Sequence, residues 1–462
     1  MPSQRMLPGS SSDHTARAAR LLLPSESAHS STPFQQLHAE EGSSMRQKKL
    51  WFTMSGILAV LAVAFMLPTG VVAASKYKVL YRFKGGADGA GPYAGLMLDA
   101  AGDLYGTTIF GGSQFNAGTV FKLTQNSDGG WTESLLYSFT ASADGGFPYA
   151  DLIVDGAGNL YGTTAGGGSG YGTVFKLTPN SNGKWTESVL YSFSGGVDGN
   201  QPSAGLIFDT AGNLYGTTLV GGSGQCTYGC GVVFKLTPNS NGKWTESVLF
   251  SGADGNRPSG GVIFDAVGDL YGASSYGGAS GDGTVFKLTP KSGGGWTESV
   301  LHSFTGGADG SGPTASLILD AAGNLYGTTF YGGNINRGCT GQTCGVVFKM
   351  TPNSDGSWTE QVLHKFENNP AANPNAGLAF DAAGNLYGAT QFGGPVPVNG
   401  GVVFKMTPKS DGSWAFTVLH VFLQKPALNP YAGVILDKAG NLYGTTYSCG
   451  SRCQGVVYEV TP

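Results

Sequence analysis

A chain of 462 residues with a net charge of -4, only 12% charged residues and no basic stripe excludes nucleic acid as a partner. Its 77 glycines, one residue in six, are more than about twice ordinary usage. They are interleaved with aromatic and β-branched residues, which excludes a disordered low-complexity chain and favours a β protein with many turns.

Residues 1–44 are polar, Ser-rich and aperiodic, so if translated they are expected to be disordered. Met45 opens a basic stretch, Met45-Arg46-Gln47-Lys48-Lys49, followed by an apolar run from Leu50 to Leu67. Pro68 and Gly70 break that run, and Val72-Ala73-Ala74 precedes Ser75. Basic, apolar and small-residue regions in that order describe a secretory signal peptide over 45–74, cleaved after Ala74, with Met45 as the initiator. Retention of the same segment as a membrane anchor is the alternative.

Beyond it, Gly-(Asn/Asp)-Leu-Tyr-Gly occurs seven times, starting at Gly102, Gly158, Gly212, Gly268, Gly323, Gly384 and Gly440. Self-similarity at an interval of 54 to 61 residues marks a repeat architecture. The second repeat shows its parts. Ala150–Asp155 reads as strand A, Asn159–Thr164 as strand B, Gly172–Thr178 as strand C, and a strand D opens at Trp185 and ends Val189-Leu190-Tyr191-Ser192-Phe193. Four antiparallel strands in each of seven repeats predict an all-β, seven-bladed β-propeller over residues 76–462.

The ends of the chain sharpen this. Six D strands follow their own C strands, at 135–139, 189–193, 248–250, 300–304, 362–366 and 418–422. The seventh stands alone near the start, within residues 78–83, while the chain stops on a C strand, Gly455 to Pro462. The N-terminal strand is therefore expected to complete the last blade, leaving few free edges.

Six cysteines form three close pairs, Cys226/Cys230, Cys339/Cys344 and Cys449/Cys453, in the same loop of alternate repeats. With an export signal, three loop disulfides are expected. Metal is disfavoured because no histidine stands near any pair, and no cofactor is expected.

Asp99, Asp155, Asp209, Asp265, Asp320, Asp381 and Asp437 end every strand A. Presence in all seven repeats favours a turn cap over catalysis, which breaks symmetry. A second series, Asp88, Asp144, Asp198, Asp254 and Asp309, sits in Asp-Gly turns of the D–A loops and yields to Asn373-Pro374 and Asn429-Pro430 in repeats six and seven. These read as turn residues, with ligand contact at the loop-rich face as the functional alternative. No D-x-D-x-D-G calcium loop occurs. His302, His364 and His420 share one strand-D slot, far apart around a ring, so Ser-His-Asp or Cys-His catalysis is hard to build. Trp131, Trp185, Trp244, Trp296, Trp358 and Trp414 open strand D and read as packing. The aromatics that vary, Phe110, Phe115, Tyr171, Tyr228, Tyr276, Tyr331, Phe392 and Tyr447, fall in the B–C loops, where specific binding on a constant scaffold is expected.

The phrases L-I-x-D-x-A-G-N-L-Y-G-T-T, G-(T/V)-V-F-K-(L/M)-T-P and W-T-E-S-V-L-(Y/H)-S-F across residues 76–462 resemble the GloVer tandem-repeat family. That resemblance implies an exported bacterial protein with variable anchoring, and it implies no shared activity. The P-x-A-G-L-I-x-D-x-x-G-N-L-Y portion also looks like NHL-type propeller repeats, which implies a binding platform. Family members often carry a C-terminal sorting signal or anchor, whereas this chain ends on a strand, so a freely secreted product is expected over a C-terminally anchored one. The combined reading is a secreted, monomeric, non-catalytic module that binds extracellular protein or glycan. A glycan-cleaving lyase or hydrolase using mouth carboxylates is the alternative.

Overall fold

The computed structural model describes residues 75–112, 115–224, 229–252, 255–333, 344–367, 371–394, 399–423, 427–448 and 454–462. The segment 1–74, including the expected signal peptide, lies outside them, as do Asp254, Tyr228, Cys226, Cys339, Cys449 and Cys453. Among the described residues no helix is long and apolar enough to cross a membrane.

The strands assemble into seven sheets, each with strands A to D in spatial order. In the second blade these are Ile153–Val154, Leu160–Thr164, Thr173–Pro179 and Trp185–Ser192. Strand A is shorter than its sequence suggests: in blade two Ala150 O accepts Thr107 Oγ1 at 3.4 Å and Asp151 accepts the Gly95 N–H, so this segment bonds to the preceding blade ahead of the ladder at Ile153. The last sheet consists of Ile435–Leu436, Leu442–Thr446, Val456–Thr461 and the N-terminal strand Lys76–Arg82. Lys76 pairs with Thr461 and Arg82 with Val456, so the two ends of the propeller close the ring.

The recurring phrase explains each blade. Asp155 Oδ1 accepts the N–H groups of Ala157 and Asn159, both at 2.9 Å, while Oδ2 accepts Asn159 Nδ2 at 2.7 Å and Tyr161 OH at 2.9 Å. The same side-chain cap recurs at Asp209, Asp320, Asp381 and Asp437. In blades one and four the Asn becomes Asp103 and Asp269, and each instead pairs with a strand-C lysine, Lys122 at 2.6 Å and Lys287 at 2.5 Å. The terminal Gly of Leu-Tyr-Gly faces a strand-C aromatic directly across the ladder, as Gly162 faces Phe175. A Cβ on Gly162 would lie 2.7 Å from the Phe175 ring, closer than any side chain tolerates. We expect Gly162→Ala to cost roughly 1–3 kcal/mol by overpacking, read as a lower denaturation midpoint at unchanged slope.

The apolar core lies between blades. Tyr161, Val174 and Phe193 of the second blade pack with Leu206, Leu214, Val232 and Phe234 of the third. The Phe two residues after the strand-D Tyr or His slot is the main bolt: Phe193 meets Phe234 edge-on at 5.2 Å, and Phe139, Phe304 and Phe366 meet Phe175, Phe348 and Phe404 similarly. Blade three departs from this pattern. Its strand D ends Phe250-Ser251-Gly252 with no bolt, so Phe250 tilts against Phe286 at 6.2 Å. There an extra strand, Gly255–Pro258, adds to Leu270–Gly277 of blade four. Thr445 Oγ1 donates to Ala94 O at 3.0 Å across the closure, as Thr163 does to Ala204 O at 3.3 Å inside the ring.

Candidate functional site

Tertiary structure turns the D–A carboxylates back onto their own loops. Asp88 accepts Tyr81 OH at 2.5 Å and the Lys84 N–H at 2.6 Å. Asp144 accepts Tyr137 OH at 3.1 Å and the Thr140 N–H at 2.9 Å; Asp198 accepts Tyr191 OH at 3.1 Å and the Ser194 N–H at 2.7 Å. Asp309 accepts the Thr305 N–H at 2.8 Å and stands 3.4 Å from His302 Nε2. Burial opposes ionisation of Asp198 and Asp309, but these hydrogen bonds outweigh it and hold both below the usual carboxylate range.

The B–C loop aromatics scatter. Phe115 is exposed, Tyr171 lies against Gly195, and Phe392 packs into the seam of blades five and six. Phe110 meets Phe147 at 6.2 Å, and Tyr276 carries the Arg257 guanidinium 5.2 Å above its ring. Tyr331 and Tyr276 line a side pocket of about 280 Å³ with Thr314 and Asn375. Among the described ones, Tyr447 packs against Tyr431 at 5.4 Å and Tyr93 at 6.5 Å.

The centre is built by the residues following the D–A loop prolines. A cavity of about 680 Å³ opens where all seven blades converge. Its rim is the residue after each of these prolines: Tyr93, Tyr149, Ser203, Ser259, Thr314, Asn375 and Tyr431 in blades one to seven. Blades seven, one and two, which are neighbours in the ring, all supply tyrosine. Tyr93 stacks on Tyr431 at 4.7 Å and meets Tyr149 edge-on at 5.2 Å. Asn375 Nδ2 reaches Tyr93 OH at 3.5 Å. One arc of the rim is therefore aromatic and the other carries hydroxyls and an amide.

The next tier, two residues on, is Gly95, Asp151, Gly205, Gly261, Ser316, Gly377 and Gly433. Asp151 is the one charged side chain among the described residues lining the cavity. Its Oδ1 accepts the Gly95 N–H at 2.5 Å. The side chain is open to the cavity, yet protein surrounds it. That enclosure pushes its carboxyl above the usual range, with the Gly95 hydrogen bond pulling partly the other way.

The residue before each rim proline takes left-handed backbone in every blade. Blades one and five use Gly91 and Gly312, and blades six and seven use Asn373 and Asn429, at φ between 57° and 64°. Blades two to four instead hold Phe147, Gln201 and Arg257 at φ 60°, 58° and 60°, a conformation that costs a bulky residue about 1–2 kcal/mol. Phe147 and Gln201 project onto the cavity. Strain of this kind is retained where surrounding structure or function requires it.

Neither rim tier was among the residues singled out from sequence. The signal was present as the variable position inside an otherwise constant phrase.

No curated protein matches this chain. Among solved structures, two of the extracellular domain of a one-component or hybrid two-component system protein from B. thetaiotaomicron match at 10% identity. They cover 83% and 82% of this chain and 40% and 39% of that one, with TM-scores of 0.48 and 0.49; the chain thus spans about two fifths of their length. An oxidoreductase (glucose dehydrogenase) of Thermus thermophilus matches at 16% identity over 68% of this chain and 96% of its own, TM-score 0.41. None of these likenesses carries an argument about activity. The Gloeobacter/Verrucomicrobia repeat profile matches residues 63–227, 134–340 and 339–462, which takes in every blade. By its repeats, the chain belongs to the Gloeobacter/Verrucomicrobia repeat family.

Proposed function

We propose that this protein is an exported binding module that holds a glycan at its central mouth without cleaving it. One observation carries the reading: a tyrosine arc facing a hydroxyl and amide arc around a cavity of about 680 Å³. Sugars present apolar C–H faces that stack on aromatic rings and hydroxyls that need hydrogen-bond partners. The rim offers both, on opposite sides. Cleavage by a carboxylate pair needs two acids flanking one bond, and the described lining supplies Asp151.

Export through residues 45–74 belongs to the same proposal, as does disulfide closure of the three B–C loops. Cys230 and Cys344 are buried, and no cysteine among the described residues is a free thiol. Intact mass of the exported protein, with and without reductant, checks both the Ala74 cleavage and the pairing.

A glycan array probed with the purified protein tests the function. Retained, unaltered glycan, with affinity falling roughly tenfold or more in Tyr93→Ala or Tyr149→Ala, is the expected outcome. Shortened glycan establishes an enzyme instead. An empty array overturns the glycan reading in favour of a protein partner.

A further inference from the structure

Asp151 is the one break in the second tier that introduces charge. Five blades place glycine in this slot, and blade five places Ser316. Ser316 Oγ accepts the Gly261 N–H of the preceding blade at 2.8 Å, the same bond that Asp151 makes with Gly95. A neutral hydroxyl therefore satisfies the backbone here, and the carboxylate is not needed for the fold. No ion pair with Asp151 exists among the described residues, and its carboxylate is exposed on the cavity wall, where a ligand entering the mouth can meet it. A carboxylate placed there favours a cationic ligand group.

The tyrosine arc restricts what that cation is. Tyr149 is two residues before Asp151 on the same segment, and Tyr93 precedes Gly95, its hydrogen-bond partner, by two. Aromatic faces attract ammonium groups through their quadrupole, so rings and carboxylate favour the same ligand group. No group of three His, Cys, Asp or Glu side chains that could hold a metal ion occurs among the described residues.

Resting on the glycan reading above, we propose that Asp151 makes the mouth selective for glycans bearing a free, protonated amine. An amino sugar would set its ring against Tyr93 or Tyr149 and its ammonium against Asp151. The N-acetylated counterpart loses the charge and adds bulk.

The test compares matched ligands, glucosamine oligomers against N-acetylglucosamine oligomers of equal length, by titration calorimetry on the exported protein. Wild type is expected to prefer the amine by about tenfold or more, with the preference weakening as salt rises. Asp151→Ser, which copies blade five, should keep the wild-type melting temperature and bring the two series to parity. Binding of neutral oligomers with no amine preference, or a preference unchanged in Asp151→Ser, overturns this inference and leaves glycan binding standing. Failure of both series, in a protein that binds other glycans on the array, likewise overturns it. Failure of every glycan sinks the underlying reading together with this one.

Discussion

Deletion of Lys76–Phe83 is expected to abolish soluble, cooperatively unfolding protein, although it removes a strand far in sequence from the one it completes. That strand pairs along Val456–Thr461, whose Val456, Val457, Tyr458 and Val460 are buried. Without it, strand C of the last blade becomes a long apolar edge, the arrangement that natural sheets avoid because it templates aggregation. The strand also joins the last blade to the first: Leu80 and Phe83 share a core cluster with Leu96, Leu104 and Phe121 of blade one and Tyr443 and Val457 of blade seven. Phe83 is fully buried and meets Phe121 edge-on at 5.0 Å, the bolt geometry of Phe139 on Phe175 at 5.1 Å. Phe83→Ala should therefore cost roughly 3–5 kcal/mol, and Phe139→Ala about the same. Denaturant titration of both variants decides the matter. A Phe83 cost well below that of Phe139 means that the closing strand is a loose appendage. A permutant with residues 76–83 moved behind Pro462 through a hairpin turn like that of the other blades should restore the fold.

Blade architecture was legible in the sequence because each local rule is written six or seven times. The Asp cap, the Gly beneath a strand-C ring and the strand-D bolt each recur in register, and the orphan strand at the start matched the missing one at the end. The mouth was harder to read, for a physical reason. Variation in the B–C loops draws attention to their aromatics, but a propeller brings its blades together at the inner ends, not in the peripheral loops. There a single variable residue after the loop proline, repeated around the axis, builds more of a site than a whole outer loop. Asp151 was hidden because an acid beside a short strand looks like another turn residue, and only its hydrogen bond to Gly95 of the previous blade separates it from the caps. The asymmetry expected in repeats six and seven resolves into Asn373 and Asn429, which hold the same left-handed φ as their glycine counterparts. The larger structural break is the boltless seam of blades three and four. Losing that Phe goes with a shortening by three residues, which blends into ordinary turn variation when the sequence is read alone.

Replacing Glu133, Glu187, Glu246 and Glu360 together by Gln should invert the sign of the protein's stability slope between pH 5 and pH 7.5. Each of these strand-D glutamates is half-buried, with Oε1 lacking a partner among the described residues. Burial, then the charge of the preceding blade's loop carboxylate (Asp88, Asp144, Asp198 or Asp309), pushes each up to about 7. Lys84 and Lys365 oppose this weakly at Glu133 and Glu360. An unfolded glutamate titrates near 4.3, so between there and about 7 the native state binds more protons, and stability falls as pH rises. Glu459 and Asp151 shift the same way. The histidines act oppositely. Burial lowers His364 and His420 to about 4, His364 stacked on Phe416 at 4.1 Å and His420 on Tyr77 at 3.9 Å. His302 shifts in the same direction, burial outweighing Asp309. Between about 4 and the unfolded value near 6.5 these groups bind fewer protons when native, and stability rises with pH. The capping carboxylates Asp155, Asp209, Asp320, Asp381 and Asp437 are also held low, hydrogen bonds from Asn and Tyr overcoming burial. Their contribution is lost only as pH falls through and below the ordinary Asp range near 3.9, outside this window. Raised groups outnumber lowered ones, so the wild type should be the more stable at pH 5. With the four glutamates neutralised the histidines dominate, and the variant should be the more stable at pH 7.5. Urea midpoints of both proteins at the two pH values check this. Parallel slopes would mean that these glutamates are ionised in the fold and that water or a bound cation reaches them.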